Sequence, residues 1–518
     1  MHSNALLSRR RLVALSGALG ATVVAVACGS APPPTATPAP AKPAEPAKPT
    51  TAPATAPTAA PAAGATTAPA ATSAPAAAAA TKPAETSKPA AAAPATGPGQ
   101  KYEITFLTTQ TSPADVKIYE DLAKRFAELN PNLTVKVTAE SGTNYDQKLL
   151  TYLTAGTLPD IVQTNDNYSA PFKKAGITRD MIPFAKGTNF PYQDFDPTFL
   201  NLGMVDGELH MLPKQGDVIV PYVNLRMAKE GNVELPLKLD PVKEPDKWTW
   251  DEFTTMVKHL TVDGNGKRGD QAGFDKENVQ VYGAALQIDA WYTYVPMVLA
   301  EGGQFVSDDL SKSLLNSPQG VEAFKKLTEP VKAGYWAPPT LLQTMSNSGT
   351  VFAAGKAAMA PLQRLWCTTL RSQLKDDFDV IHFPKGTTKR VTGEGTFGFA
   401  LTTKAKNPDL AWKFLDFMYG DEGMKIITSS YAAVPAMKRY YNSPFWRELP
   451  GPPYNNAVFV DAFQYGTTPP RLPFYSTGPF RQAVTDGLTA ITLGKATAEE
   501  VVKNVDKVLN DYLQSQKK

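Results

Sequence analysis

Residues 102–162 read YEITFLTTQTSPADVKIYEDLAKRFAELNPNLTVKVTAESGTNYDQKLLTYLTAGTLPDIV, and this stretch decides the fold class. Tyr102–Thr108 places apolar side chains at every second position, which predicts a β-strand. Ser112 and Pro113 then provide an N-cap and a first helical residue, and apolar side chains recur at helical spacing until Asn130. The following elements are a strand at 133–137, a helix at 145–155 and a strand at 160–162.

This order of strand, helix, strand, helix and strand predicts a parallel sheet with helices on its faces, and therefore an α/β fold. The chain from Lys101 to Lys518 is more than 400 residues long, which exceeds what one hydrophobic core usually holds. We therefore expect this part of the chain to form two lobes.

The composition argues against several classes of partner. Lys and Arg together number 52, Asp and Glu number 49, and charges of both signs are mixed along the chain. The sequence has no basic stripe that would bind nucleic acid, so we expect no such partner. Its cysteines are Cys28 and Cys367, and we interpret Cys367 as a small buried hydrophobe rather than a reactive thiol.

Residues 1–27 have the pattern of an export signal, with basic residues followed by an apolar run. Ser8-Arg9-Arg10 resembles the start of a twin-arginine signal. Ala25-Val26-Ala27-Cys28 resembles a bacterial lipobox, which implies cleavage before Cys28 and lipid attachment to that residue. Acyl chains would hold the exported protein on the cell membrane. The alternative is a soluble secretory signal with an incidental cysteine.

Residues 28–100 begin with the expected lipidated cysteine and continue almost wholly with Ala, Pro, Thr, Ser and Lys. From Gly29 onward this segment has no aromatic or large aliphatic side chain, so it has no apolar surface that would offset the entropy of ordering. We therefore predict a disordered linker between the membrane anchor and the globular part of the chain.

The sequence motifs that could indicate catalysis or cofactor binding lack the structural surroundings that such sites require. Gly393–Gly398 spells GEGTFG, but it leads into the strand-like Phe399–Thr403 and not into the helix that a dinucleotide site requires. The four histidines are scattered along the chain. We interpret Asp263–Asp270 as a polar turn rather than a calcium loop, because Lys267 stands where an oxygen ligand belongs. No catalytic residue, cofactor or metal ion is expected.

Several blocks of sequence follow one another in a characteristic order and spacing. They include Asn144–Leu150, Ala155–Val162, Tyr222–Asn224, Trp248–Phe253, Val295–Met297, Glu301–Gly303, Gly355–Met359, Phe397–Leu401 and Asn407–Leu415. Together these blocks resemble family 1 extracellular solute-binding proteins of ABC importers, and the chain is distantly similar to maltodextrin-binding proteins. The resemblance extends over essentially all of Lys101 to Lys518.

The resemblance implies a type II periplasmic-binding-protein fold, in which two α/β lobes enclose a ligand cleft. Each lobe is expected to contain a mostly parallel sheet with flanking helices. We expect lobe 1 to comprise residues 101–217 and 396–435, and lobe 2 residues 218–395 and 436–518. Ligand would stabilise the closed arrangement because it contacts both lobes there. A membrane permease of an ABC transporter would recognise this loaded form, and we expect the binding protein to be a monomer.

Ligands of such folds lie at the carboxyl ends of strands. This rule nominates Gln110, Asn165, Asp166 and Asp217, whose amides and carboxylates can hydrogen-bond to hydroxyl groups. The resemblance adds aromatic residues that would stack on a sugar. Each nominee is also typical of an ordinary loop or core residue. The aromatic nominees are Tyr292, Trp366 and Phe480, with Tyr145 and Trp291 in a second rank.

An aromatic ring covers the C–H face of a sugar while polar side chains satisfy its hydroxyl groups. We therefore expect a neutral oligosaccharide as ligand, while the resemblance also allows glycerol phosphate esters and other polyols. Two alternatives stay open. One is a surface-tethered glycan hydrolase or lyase, which would need two carboxylates in the cleft. The other is a sensory binding protein that delivers its closed form to a receptor instead of a permease.

Overall fold

The computed structural model describes residues 100–142, 144–375, 377–468 and 478–515. The predicted signal peptide, the predicted lipidation site at Cys28 and nearly all of the predicted linker lie outside these residues. Among the described helices, none is long and apolar enough to cross a membrane.

The strands of the described residues belong to two large sheets and one short hairpin. They are β1 (Tyr102–Thr108), β2 (Leu133–Ala139), β3 (Ile161–Asn165), β4 (Met204–Val205), β5 (Glu208–Leu209), β6 (Leu212–Val218), β7 (Val220–Asn224), β8 (Val262–Asp263), β9 (Val279–Ala284), β10 (Ala357–Leu362), β11 (Phe378–Val380), β12 (Thr392–Leu401), β13 (Val434–Pro435) and β14 (Gly466–Thr467).

The helices cover the sheets and connect their strands. They are α1 (Pro113–Leu129), α2 (Tyr145–Ala155), α3 (Ser169–Lys174), α4 (Ile182–Gly187), α5 (Pro197–Gly203), α6 (Leu225–Glu230), α7 (Trp250–Leu260), α8 (Trp291–Ala300), α9 (Pro318–Lys332), α10 (Pro339–Thr344), α11 (Ser348–Ala353), α12 (Trp366–Gln373), α13 (Pro408–Tyr419), α14 (Asp421–Thr428), α15 (Pro444–Arg447), α16 (Ala457–Ala462), α17 (Gly478–Thr492) and α18 (Ala498–Ser515), together with 3₁₀ turns at Tyr192–Asp194 and Lys438–Tyr440.

Lobe 1 is built around the first sheet, whose strand order is β13-β6-β12-β3-β1-β2, with β14 beside the start of β12. Strand β1 runs parallel to β2 and β3, as the opening stretch of sequence predicts. Helix α1 begins at Pro113 because the Ser112 side chain accepts a hydrogen bond from the Asp115 amide, and it ends before Asn130. Helices α1, α13 and α14 bury their apolar faces in one core with this sheet.

Lobe 2 is built around the second sheet, with strand order β11-β7-β10-β9-β8. Its main core also takes in α7, α8 and α9, and the terminal helices α17 and α18 pack there as well. The chain passes from lobe 1 to lobe 2 at Ile219, which lies directly between β6 and β7. The predicted residue ranges of the lobes stay a prediction.

The expectation of mostly parallel sheets needs a correction, because both sheets are mixed. In lobe 1, β12 is antiparallel to β3 and β6, and β13 is antiparallel to β6. In lobe 2, only β9 and β10 pair in parallel, whereas β7 is antiparallel to β10 and β11. The physical reason is the crossing between lobes: strands β6, β7 and β12 are not joined to their neighbours by a helical crossover, so parallel pairing is not imposed on them.

Candidate functional site

A pocket lies where the two lobes meet and has a volume of about 120 Å³. Lobe 1 contributes the ends of β3 and β6 and the first half of β12, while lobe 2 contributes the start of α8 and the loop after β10. We call it the interlobe pocket. It is lined by Asn165, Asp166, Asn167, Asp217, Ile219, Trp291, Tyr292, Gln363, Gly393, Glu394, Gly395, Thr396 and Phe397.

The end of β3 supplies amide and carboxylate groups to the lobe 1 wall. Asn165 is the last residue of β3, and its side-chain oxygen accepts a hydrogen bond of 3.0 Å from the Asn167 amide. The Asp166 amide donates to the Thr396 carbonyl oxygen at 3.2 Å, which ties the turn to β12. These two hydrogen bonds, one to the Asn165 side chain and one between backbone groups, position the turn at the edge of the sheet.

Asp217, near the end of β6, carries one of the two buried carboxyl groups that line the pocket, and Glu394 carries the other. The Asp217 side chain is only 7% exposed, and no described residue donates a hydrogen bond to its Oδ1 atom. Burial, followed by the nearby Asp166 charge, raises the pKa of Asp217 to about 7, although Lys214 and a hydrogen bond from Gln363 act in the opposite direction. The pocket therefore contains a carboxylate oxygen that a ligand could satisfy.

The glycines of the GEGTFG run let other elements approach β12. A β-carbon at Gly393 would lie 2.5 Å from the β-carbon of Tyr292, so α8 of lobe 2 could not pack as closely against a larger residue. A β-carbon at Gly395 would lie 3.2 Å from Oδ2 of Asp166. Gly395 is also the register partner of Asp217. The run is therefore the floor of the pocket, and it lies within strand β12.

Glu394 lies between these glycines, but its carboxyl group contacts Gly466 of β14. Burial, with a smaller effect from Asp196, raises the pKa of Glu394 to about 8. In the strand register Glu394 pairs with Val218, one position away from Asp217, and side chains of successive residues point to opposite faces of a sheet. The two buried carboxyl groups therefore belong to different faces of the sheet.

The first turn of α8 forms the aromatic wall of the pocket, contributed by lobe 2. The rings of Trp291 and Tyr292 lie 5.9 Å apart at an interplanar angle of 77°. The Tyr292 hydroxyl group donates to Oε1 of Gln287 at 3.3 Å, and burial raises the pKa of this tyrosine to about 12. The hydrogen bond fixes the ring in place, so an apolar face is available opposite the acidic residues of lobe 1.

The structure brings five of the nominated residues into the interlobe pocket, namely Asn165, Asp166, Asp217, Trp291 and Tyr292. Gln110 is not among the lining residues. Its Oε1 atom accepts hydrogen bonds from the Tyr119 hydroxyl group and from Nζ of the buried Lys214. Gln110 therefore helps to satisfy a buried lysine at the carboxyl end of β1.

Three aromatic nominees lie elsewhere. Phe480 is 1% exposed and packs against Phe305 and Tyr294 in the core of lobe 2. Tyr145 is also 1% exposed and donates a hydrogen bond to the Gln163 carbonyl oxygen at 2.8 Å. Trp366, at the start of α12, is half-buried, and its ring lies over Gly349. The free energy gained by burying a large aromatic ring explains why Phe480 and Tyr145 lie in the protein core. We therefore remove both from the candidate site.

Sequence reasoning missed Asn167, Gln363, Thr396 and the pocket role of the two glycines. The rule of strand ends could have found Gln363, because Gln363 directly follows the last residue of β10, just as Asp166 directly follows the last residue of β3. The close approach of Gly393 to Tyr292 had no local signal, because the two residues are about 100 positions apart in the chain.

The segment Asp263–Asp270 forms a turn. Both carboxylate oxygens of Asp263 accept backbone hydrogen bonds, from the amides of Asn265, Lys267 and Asp275. These bonds occupy the oxygens that a calcium ion would need. Within the described parts of the chain, no group of three or more His, Cys, Asp or Glu side chains could hold a metal ion. The Cys367 thiol is buried, as expected, and burial raises its pKa.

Two α/β lobes with a polar and aromatic pocket between them define a two-lobed binding protein. The chain matches the family described as bacterial extracellular solute-binding protein over residues 121–453. It therefore belongs to that family, whose members are extracytoplasmic binding proteins. The resemblance found in the sequence is confirmed at the level of the family.

Similar proteins agree with this assignment. The diacetylchitobiose-binding protein of Streptomyces coelicolor is 24% identical over 411 residues, which cover 76% of this chain and 86% of that protein. The structure of an ABC substrate-binding protein of Listeria monocytogenes, in complex with cycloalternan, superposes with a TM-score of 0.66 at 21% identity and covers 80% of this chain and 100% of the other. Maltose-bound MalE3 of T. maritima gives a TM-score of 0.64 at 18% identity, with coverages of 79% and 99%. These structures confirm the two-lobed fold.

Proposed function

We propose that this protein captures a carbohydrate, a neutral oligosaccharide above all, by closure of its two lobes and delivers it to the permease of an ABC transporter. The observation that carries the proposal is the composition of the interlobe pocket. A carboxylate oxygen of Asp217 in lobe 1, to which no described residue donates a hydrogen bond, faces the same space as the Tyr292 ring of lobe 2. The names of the similar proteins, which bind diacetylchitobiose, cycloalternan and maltose, support the same ligand class.

A sugar suits this arrangement chemically. Its hydroxyl groups donate hydrogen bonds to Asp217, Asp166 and Asn165, while the C–H face of the ring packs on Tyr292 and Trp291. Because these groups come from different lobes, a bound sugar stabilises the arrangement in which the lobes are close together. No bond of the ligand has to change.

Titration calorimetry tests the proposal directly. The protein from residue 100 onward is titrated with neutral oligosaccharides, polyols and phosphate esters, and small-angle X-ray scattering follows the radius of gyration with and without the best ligand. We expect a neutral oligosaccharide to bind and to reduce the radius. Binding of only a phosphate ester, or of no carbohydrate, would contradict the proposal.

Membrane attachment is part of the proposal. We propose that the signal is cleaved before Cys28, that this residue carries lipid, and that residues 29–99 act as a flexible linker. Cys28→Ala is expected to release the protein from the membrane or to leave it unprocessed. Continued retention with normal processing would contradict the lipid anchor. Replacement of Arg9 and Arg10 by Lys is expected to stop export if the twin-arginine route is used, whereas export through the general secretory route would continue.

A glycan hydrolase is a second candidate, and one observation favours it. Asp166 and Asp217 share the pocket, and the pKa of Asp217 is raised to about 7, as in a general acid beside an ionised carboxylate. Chromatography of the oligosaccharide after the titration decides between the two functions. Intact ligand supports a binding protein, and cleavage products that disappear in Asp217→Asn would establish hydrolysis. A sensory role would be recognised from neighbouring genes that encode a receptor instead of a permease.

A further inference from the structure

The interlobe pocket is small, and it is closed where the chain crosses between the lobes. Its volume of about 120 Å³ is below the roughly 300–1,000 Å³ of pockets that hold drug-sized ligands, so it has room for no more than about one sugar ring. Ile219, the crossing residue between β6 and β7, lines it. The Ile219 amide donates a hydrogen bond of 3.0 Å to the Gly393 carbonyl oxygen, which joins the crossing to β12.

Helix α8 closes the same end of the pocket from lobe 2. A β-carbon at Gly393 would lie 2.8 Å from the α-carbon of Tyr292, so the backbones of β12 and α8 are in close contact. Because these described residues touch, a sugar chain cannot pass between the two elements. A ring that enters this end of the pocket is therefore the last ring of its chain, whereas an open groove would accept a chain along its whole length.

The polar and aromatic groups of the pocket also suit a single ring. The Asp217 side chain is 7% exposed, and no described residue donates a hydrogen bond to its Oδ1 atom. A ligand hydroxyl group that donates to this oxygen has to belong to a ring inside the pocket. The rings of Trp291 and Tyr292 meet at an angle of 77°, and this corner can cover the face and the edge of one sugar ring.

We propose that the interlobe pocket binds one terminal ring of a sugar chain, end first, while the rest of the chain lies outside the pocket. The ligand class is then sugars with a free chain end. This binding mode rests on the proposed carbohydrate-binding function and narrows it. A cyclic sugar has no end and is excluded, even where its linkages match those of a ligand. Linear chains of different length present the same terminal ring and bind with similar affinity.

Glucans that differ in their ends test the binding mode. Linear α- and β-linked glucans of two to five rings are titrated by calorimetry, together with cyclic glucans of the same linkages. We expect the linear glucans of the linkage that binds best to agree within about 3-fold in Kd, and the cyclic glucan of that linkage to bind at least about 30-fold more weakly.

Capped sugars show whether one end enters the pocket. The best linear glucan is prepared with a benzyl group at the reducing end, or with a benzylidene acetal at the non-reducing end, so that the two caps are similar in size. We expect one cap to weaken binding at least about 30-fold, because the capped ring no longer fits, and the other cap to change Kd less than about 3-fold.

Gly395→Ala assigns the effect to the pocket. Gly395 lies in β12 and lines the pocket, and a β-carbon there would lie 3.2 Å from Oδ2 of Asp166. The added methyl group takes space from the inserted ring, so affinity for every linear glucan that binds should fall at least about 10-fold. Gly187→Ala is the matched control, because a β-carbon at that position meets no atom within 4 Å. Melting curves show that both variants are folded.

The outcomes separate the binding mode from the proposed function. If linear and cyclic glucans bind equally well, the end-first mode is wrong and the carbohydrate-binding function stands. The mode is also overturned if both caps or neither cap weakens binding, or if folded Gly395→Ala keeps wild-type affinity. Should Gly395→Ala fail to fold, the capped sugars decide the question on the unaltered protein. Absence of binding by every glucan contradicts the proposed function, and the end-first mode falls with it.

Discussion

The two walls of the interlobe pocket differ in chemical character. The lobe 1 wall consists of strand ends, where Asn165, Asp166 and Asp217 are held by the hydrogen bonds of a sheet. The lobe 2 wall consists of aromatic side chains at the start of a helix, Trp291 and Tyr292. The lobe 1 side chains form directional hydrogen bonds, and two of them are carboxyl groups. The aromatic rings of lobe 2 instead provide an apolar surface on which a ligand can lie in many orientations.

This difference indicates that the lobe 1 wall determines ligand selectivity and the lobe 2 wall contributes affinity. Hydrogen-bonding groups at fixed positions decide which ligand is accepted, because a mismatch leaves a buried polar atom without a partner. An aromatic face contributes affinity with less dependence on the exact ligand. Changes in the lobe 2 wall should therefore reduce affinity for all ligands together, and changes in the lobe 1 wall should alter the ranking of ligands.

Gly393→Ala is expected to have the largest effect, because it pushes the two walls apart. The new β-carbon would lie 2.5 Å from the β-carbon of Tyr292 and 2.9 Å from its carbonyl oxygen. Overpacking against backbone typically costs 1–3 kcal/mol, and we expect about 3 kcal/mol of stability and a loss of ligand affinity. Thermal unfolding and calorimetry measure both. Gly187→Ala is the matched control, because a β-carbon there meets no atom within 4 Å. Equal behaviour of the two variants would show that the close approach is unimportant.

Tyr292→Ala removes the main apolar surface of the lobe 2 wall. By analogy with aromatic pairing and base stacking, we expect a loss of about 1–3 kcal/mol in binding, or roughly 5- to 150-fold in Kd, for every sugar that binds. Tyr454→Ala serves as the control, since that tyrosine is 56% exposed and lies outside the pocket. Wild-type affinity in Tyr292→Ala would contradict the placement of the aromatic wall.

Asp217→Asn tests the lobe 1 wall through pH. The carboxyl group of Asp217 titrates at about 7 in the folded protein and near 3.8 when unfolded. Between these pH values the folded state holds the extra proton, so its stability falls as the pH rises. The side chain of Asp217→Asn does not ionise, so the stability of this variant does not fall with rising pH for that reason. We expect it to be more stable than wild type by roughly 1–2 kcal/mol at pH 8, since burial of the uncharged amide retains part of the cost.

The difference should shrink as the pH falls from 7 and disappear below about pH 3, where Asp217 is protonated in both states. Melting curves at pH 4.5, 6 and 8 measure it, and comparison with wild type cancels the similar contribution of Glu394. The same variant should bind the best ligand about 10-fold more weakly. A variant that is less stable than wild type at pH 8 would show that the carboxylate is satisfied in the folded protein.

Local signals predicted the elements of lobe 1 well. Helix α1 begins at Pro113 and ends at Leu129 as the N-cap and the following Asn130 indicate, because capping depends on neighbours in the chain. The rule of strand ends also named three residues of the lobe 1 wall, since the carboxyl end of each predicted strand can be located in the sequence. Their role in ligand binding stays a prediction.

The lobe 2 wall was harder to predict. Tyr292 was nominated only through the resemblance, and its contact with Gly393 depends on the packing of two lobes. The direction of β12 was missed for a similar reason, because a strand that returns from another lobe can be inserted either way. Hydrophobic spacing also could not show that Phe480 faces the core, because an aromatic residue on a cleft and one in a core give the same pattern.

Phe480→Leu sharpens this last distinction and has the smallest expected effect on binding. The ring packs between Tyr294 and Phe305, so its replacement by a smaller apolar side chain should cost about 1 kcal/mol of stability. Affinity for the best ligand should change less than about 2-fold, because the side chain is 1% exposed and does not line the pocket. Calorimetry and melting curves on one preparation measure the two quantities together. A large loss of affinity with unchanged stability would return Phe480 to the binding site, and it would mean that α17 rearranges when ligand binds.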